Sequence, residues 1–75
     1  MEKLIEILEE LNPDVDYNTC TDLVDGRHLD SLTILSLISE IENEFDVEVP
    51  TVEIIPANFN SAKKIMALIE KLQEE

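Results

Sequence analysis

Between Ser31 and Phe45 runs SLTILSLISEIENEF, in which Ile34, Leu37, Ile38, Ile41 and Phe45 recur at the spacing of one helical face. That stripe is too regular for a strand and too long for a loop, so an amphipathic helix must bury it. Two shorter segments carry the same period. EKLIEILEEL at residues 2–11 aligns Leu4, Ile5, Leu8 and Leu11, and SAKKIMALIEKL near the end aligns Ala62, Ile65, Ile69 and Leu72, flanked by Met66 and Leu68. A chain of 75 residues that must bury three apolar stripes packs them against one another. The expectation is an all-α fold in one domain spanning residues 1–75. It is a small four-helix bundle, with three main helices, one short helix and a long loop between helices one and two.

The punctuation supports this division. Pro13 ends the first helix near Asn12, because the residue before proline avoids helical geometry. Asn60 or Ser61 suits the N-cap of the last helix. The alternating DVEVP at residues 46–50 is strand-like but has no partner strand, and so reads as a connector. Thr51 caps a single expected turn, V-E-I-I, with Pro56 as its stop. Residues 12–30 have no period. A loop of that length in a compact domain is commonly functional, and Val15, Tyr17, Leu23 and Val24 are the side chains available to pin it down.

Charge narrows the partners. Eighteen acids against five bases give a net charge of −13, which repels nucleic acid and anionic membrane surfaces and favours proteins with basic patches. The hydrophobic fraction of 44% is too high for a disordered acidic tail. There is one cysteine, no signal-peptide pattern at Met1-Glu2-Lys3 and no apolar run of membrane length, which points to a cytoplasmic monomer without membrane insertion.

Three chemistries compete for the polar loop and its exit. Asp14, Asp16, Asn18, Asp22 and Asp25 fall at EF-hand-like positions of a calcium loop over residues 14–25, which would make the chain an acidic, calcium-responsive interaction module. Thr19 stands where that loop needs glycine, and Asp25 where it needs a bidentate glutamate. Cys20 with His28 lacks an orienting third group for thiol catalysis and lacks further soft ligands for a metal, so neither a catalytic residue nor a metal site is assigned. The third chemistry lies in R-H-L-D-S-L-T at residues 27–33. Asp30 caps the central helix there, and Ser31 is left exposed at a positive helix end that stabilises a phosphate ester.

At D-S-L, residues 30–32, the sequence resembles the phosphopantetheine attachment motif of the acyl carrier protein family, which includes peptidyl and D-alanyl carriers. The likeness continues through L-I-S-E-I-E-N-E-F-D-V-E-V-P at residues 37–50 and through the order of helices over the whole chain. The resemblance implies that a phosphopantetheinyl transferase, using coenzyme A and magnesium, esterifies Ser31 with a 4'-phosphopantetheine arm. The arm's thiol then holds an acyl or aminoacyl group as a thioester. It implies a non-enzymatic carrier served by an acyl- or aminoacyl-loading ligase and a downstream transferase or synthase. Asp30 matches the acid before the serine and Leu32 the leucine that partners contact, while Glu42 and Glu44 match the acidic docking face. His28, Thr33 and Ser36 stand where the family often has a glycine and two acids, which argues against a fatty-acid synthase partner. I-P-A-N-F-N-S at residues 55–61 resembles the lead-in to the last helix of D-alanyl and other aminoacyl carriers.

Overall fold

The computed structural model describes residues 2–74; Met1 and residue 75, the two ends of the expected domain, lie outside them. In chain order the helices are α1 (Glu2–Leu11), α2 (Ser31–Phe45), α3 (Pro56–Phe59) and α4 (Ala62–Glu74), with a 3-10 turn at Thr51–Glu53. No strand occurs among the described residues, so the DVEVP segment is a connector and the fold is the expected all-α bundle.

Helix α1 packs against both α2 and α4, and it therefore buries a broader arc than a single stripe. Leu4, Ile7 and Leu8 are buried, whereas Ile5 and Leu11, expected in the core, lie half-buried at its margin. In α2 the buried residues are Leu37, Ile38 and Ile41, with Ile34 and Phe45 packed at the edge. In α4 Leu68 joins Ala62, Ile65 and Ile69 inside, and Leu72 is displaced to the margin. The helical period locates these stripes, but which flank of a stripe is covered depends on where the neighbouring helix lies.

The long loop is a packed crossover. Tyr17, Leu23 and Leu29 are buried in the same core as the helices, and Val15, Cys20 and Val24 pack against it. The Tyr17 hydroxyl lies 3.0 Å from the carbonyl oxygen of Leu8, which also accepts from Asn12 N at 2.8 Å, and 2.7 Å from that of Asn12, so its one proton ties the loop to the end of α1. From the far side, Asn60 holds the loop. Its Oδ1 accepts from the amides of Val24 and Asp25, each at 3.0 Å, and its Nδ2 donates to Asp25 Oδ2 at 3.0 Å. Its carbonyl accepts from Leu23 N at 2.9 Å. Asn60→Ala removes every side-chain bond in this set and is expected to destabilise the domain by about 1–2 kcal/mol. Hydrogen exchange at the Val24 and Asp25 amides should accelerate, and unchanged protection there would show that Asn60 does not hold the loop.

Asn60 being occupied, Ser61 is the N-cap of α4: its Oγ accepts from Lys64 N at 3.1 Å. Pro56 corrects one boundary. It was expected to stop a helical turn and instead starts α3 at the first helical position, where its missing N–H leaves nothing unpaired. Ile55 before it is extended, at φ −128° and ψ 152°, as a residue preceding proline should be. The turn upstream is shortened to the 3-10 segment Thr51–Glu53.

Candidate functional site

Asp30 is extended, with φ −86° and ψ 176°, and its Oδ1 accepts from Thr33 N at 2.8 Å. Its carbonyl accepts from Ile34 N at 2.9 Å, which closes the first turn of α2. The cap is thus complete without Ser31, whose side chain is exposed as the first residue of the helix. Two anchors fix the approach to it. Leu29 is buried, and Asn12 Nδ2 donates to His28 O at 2.8 Å, tying the lead-in to the end of α1. Ser31 therefore projects a free hydroxyl from a rigid support, beside amides that favour a negative group.

The hydrogen bond from Thr33 holds the Asp30 carboxyl below its ordinary value of 3.8. A lowered folded-state pKa means that this interaction contributes stability above 3.8 and loses it as pH falls through the folded value. A carboxyl-carbon NMR titration should therefore place Asp30 below 3.8, and Asp30→Asn should flatten that part of the pH–stability profile. A midpoint at or above 3.8 would mean that the cap does not form in solution.

The other expected site residues are distributed around this point. Leu32 is 76% exposed, so its side chain is open to contact by another protein. Glu44 is exposed on the outer face of α2 with Lys3 Nζ 3.7 Å away, and a pair so exposed contributes little. Glu42 is half-buried, and its Oε2 accepts from Val49 N at 2.9 Å, so it has a structural task in holding the connector. Sequence reasoning missed Leu35, Val52 and Ile55, which are exposed by 58%, 79% and 46%. Their signal was available: Leu32 with Leu35, and Val52 with Ile55, are apolar pairs one turn apart and off the core stripes. Of the four only Ile55 reaches the apolar recess of about 80 Å³ that it lines with Val24, Ile34, Ile54, Pro56 and Phe59.

The geometry does not favour the calcium reading. Asp16 Oδ1 accepts from Asn18 N, and Asp25 Oδ2 is held by Asn60, so the acids turn to separate neighbours instead of one centre. Among the described residues, three donor side chains converge only at Cys20, Asp22 and His28. Thiol catalysis fares no better, because burial pushes the Cys20 thiol pKa up, opposite to the activation a nucleophile needs.

Comparison with known proteins agrees with this geometry. A family model described as a phosphopantetheine attachment site matches residues 2–69. The D-alanyl carrier protein of Streptococcus sanguinis (strain SK36) is 40% identical over 72 residues, which cover 95% of this chain and 91% of the relative. Those of Streptococcus gordonii (strain Challis) and Streptococcus thermophilus (strain LMD-9) are 39% and 38% identical over the same shares.

Proposed function

The chain belongs to the phosphopantetheine-binding carrier family, whose members bear a covalent 4'-phosphopantetheine, and from that premise we propose that Ser31 takes the arm. The observation that carries the proposal is the division of labour at the start of α2. Asp30 makes the cap, and Ser31 stays exposed with its hydroxyl uncommitted. In the transfer, Ser31 Oγ bonds to the pantetheine-side phosphorus of coenzyme A, adenosine bisphosphate leaves, and the hydroxyl proton passes to the transferase. The phosphodiester formed lies at the positive end of α2, where the helix dipole and the first-turn amides stabilise its charge. The arm's thiol supplies the thioester chemistry, and carriers of this kind are generally non-catalytic.

Two observations support a small cargo. The relatives are D-alanyl carrier proteins, and the apolar recess near the root of the arm, at about 80 Å³, has room for two or three water-sized groups. A long acyl chain does not fit there without opening the bundle, whereas a D-alanyl group does not require shelter. The cargo is therefore a small aminoacyl group, D-alanine before others, loaded by an ATP-dependent ligase and passed to a downstream transferase. Partners dock on Leu32, Leu35, Val52 and Ile55, with Glu44 guiding basic residues to the rim. Among the described residues no helix is long and apolar enough to cross a membrane. The coenzyme A and ATP that arming and loading consume support a cytoplasmic loading step.

Intact-mass measurement tests this reading. With coenzyme A, Mg²⁺ and a promiscuous phosphopantetheinyl transferase, the protein should gain one arm, and peptide mapping should place it on Ser31. The modified protein should then accept D-alanine from a D-alanine-activating ligase in preference to a fatty acyl group. A folded protein that gains no mass overturns the carrier assignment, and preferential fatty acylation overturns the cargo.

A further inference from the structure

The loop that leads to Ser31 gathers three side chains that the carrier chemistry does not use. Cys20 Sγ lies 3.1 Å from Asp22 Oδ1, His28 Nε2 lies 3.6 Å from the same oxygen, and all three donor atoms fall within 4.8 Å of one another. A tetrahedral zinc ion, bonded at about 2.3 Å to sulfur and about 2.0–2.2 Å to nitrogen and oxygen, holds its ligand atoms roughly 3.4–3.6 Å apart. The two separations from Asp22, 3.1 and 3.6 Å, are close to that, and side-chain rotation brings Cys20 and His28, which lie within 4.8 Å, to the same spacing.

The backbone beneath the group is fixed. Cys20 N donates to Asp16 O at 3.0 Å, Gly26 N to Asp22 O at 2.6 Å, and His28 N to Leu23 O at 2.9 Å. Gly26 explains how the chain returns so close to Asp22. A Cβ on residue 26 would meet Asp22 Oδ2 at 2.5 Å and Asp22 O at 2.7 Å, so only glycine leaves that space to the carboxylate. The left-handed residue of this turn is Arg27, at φ 60°, which leaves steric clearance as the reason for the glycine. Asp22 and His28 have 60% and 41% of their side chains exposed, so an ion can enter and keep a water ligand.

We propose that Cys20, Asp22 and His28 form a three-ligand site for a borderline divalent transition-metal ion of the Zn²⁺ class, with water in the fourth position. Thiolate, imidazole and a single carboxylate suit such an ion, whereas Ca²⁺ and Mg²⁺ need more oxygen ligands than one carboxylate provides. Binding replaces the Cys20 S–H bond by a sulfur–metal bond and releases the proton to solvent. The bound ion cross-links residues 20–22 to residue 28, three positions before Ser31, and so braces the lead-in to the helix. The site stands independently of what Ser31 carries.

The experiment is a calorimetric titration of Zn²⁺ into metal-free, full-length protein bearing Ser31→Ala, so that no arm thiol competes. One saturable site is expected. Cys20→Ser and His28→Gln should each weaken it by at least the roughly ten- to hundred-fold that losing even an outer-shell partner costs. Asp14→Asn should leave it unchanged. Co²⁺ should give a sulfur-to-metal charge-transfer band that Cys20→Ser abolishes. Because a variant can lose structure, a second readout keeps the loop side chains intact: Zn²⁺ should slow alkylation of Cys20. Absence of a saturable site, a site indifferent to Cys20 and His28, or equal alkylation rates with and without Zn²⁺ would each overturn the proposal.

Discussion

Ser31→Ala protein, incubated with coenzyme A, Mg²⁺ and a promiscuous phosphopantetheinyl transferase, should keep its unmodified mass while the wild type is converted. The loss is expected to be complete, because the substitution removes the accepting oxygen. It should also be clean. Ser31 is exposed, the cap of α2 comes from Asp30, and alanine is favourable at a first helical position, so stability should stay within about 0.5 kcal/mol of wild type. Ser36 and Ser39 are exposed on α2 and provide internal controls. They lie inside the helix, where no cap residue precedes them and no positive end is at hand. Ser36→Ala should therefore be modified as fully as wild type, and an arm found on Ser31→Ala protein would place the attachment elsewhere.

Phe59→Ala is expected to have the largest effect on the fold. Phe59 is 1% exposed, and as the last residue of α3 it lines the recess shared with Val24 of the loop and Ile34 of α2. Removing a buried phenylalanine side chain costs about 3–5 kcal/mol through lost transfer energy and the cavity left behind. A domain of this length has about 4–11 kcal/mol in all at typical stability per residue. The variant should therefore lose a large share of its stability and show a clearly lower denaturant midpoint, with weakened helical circular dichroism at 37 °C if the wild type lies at the low end of that range. It should also be a poor transferase substrate, because the loop and the start of α2 lose a shared support. A denaturant midpoint close to that of wild type would show that α3 is dispensable for the core.

These two outcomes separate what the residues determine locally from what packing decides. The helical period of SLTILSLISEIENEF needs only the sequence to be seen, and so does the cap chemistry of Asp30. Both depend on neighbours within one turn. Pro56 was misread because proline is compatible with the position after a helix and with the first position inside one. The choice was made by the extended Ile55 and by Phe59, whose burial needs α3 to exist. Ile7 and Leu68 entered the core, while Ile5 and Leu72 stayed at its edge, because burial depends on which neighbouring helix covers the flank of a stripe.

The site divides in the same way. Asp30, Ser31 and Leu32 are consecutive, and the cap by Asp30 with Ser31 left exposed was legible from their order, whereas the attachment role of Ser31 and the docking role of Leu32 came from the family resemblance alone. Leu35, Val52 and Ile55 lie off the core stripes, but a linear pattern does not say which of such flanking positions the neighbouring elements leave uncovered. Glu42 matched the acidic docking face in sequence, and its side chain also accepts from the amide of Val49, a contact between side chain and connector that only the chain's return creates.

By itself, then, the sequence determined the helical class, the helix start at Ser31 and the family to which these residues point, since each is carried by neighbours along the chain. The tertiary structure alone decided that Asn60 fastens the long loop, that Ile34 and Ile55 share one recess, and that Asp22 sits between Cys20 and His28. Each of those depends on residues distant in sequence, or on how a turn is closed. Their positions follow from the balance of packing and backbone hydrogen bonding over the whole chain.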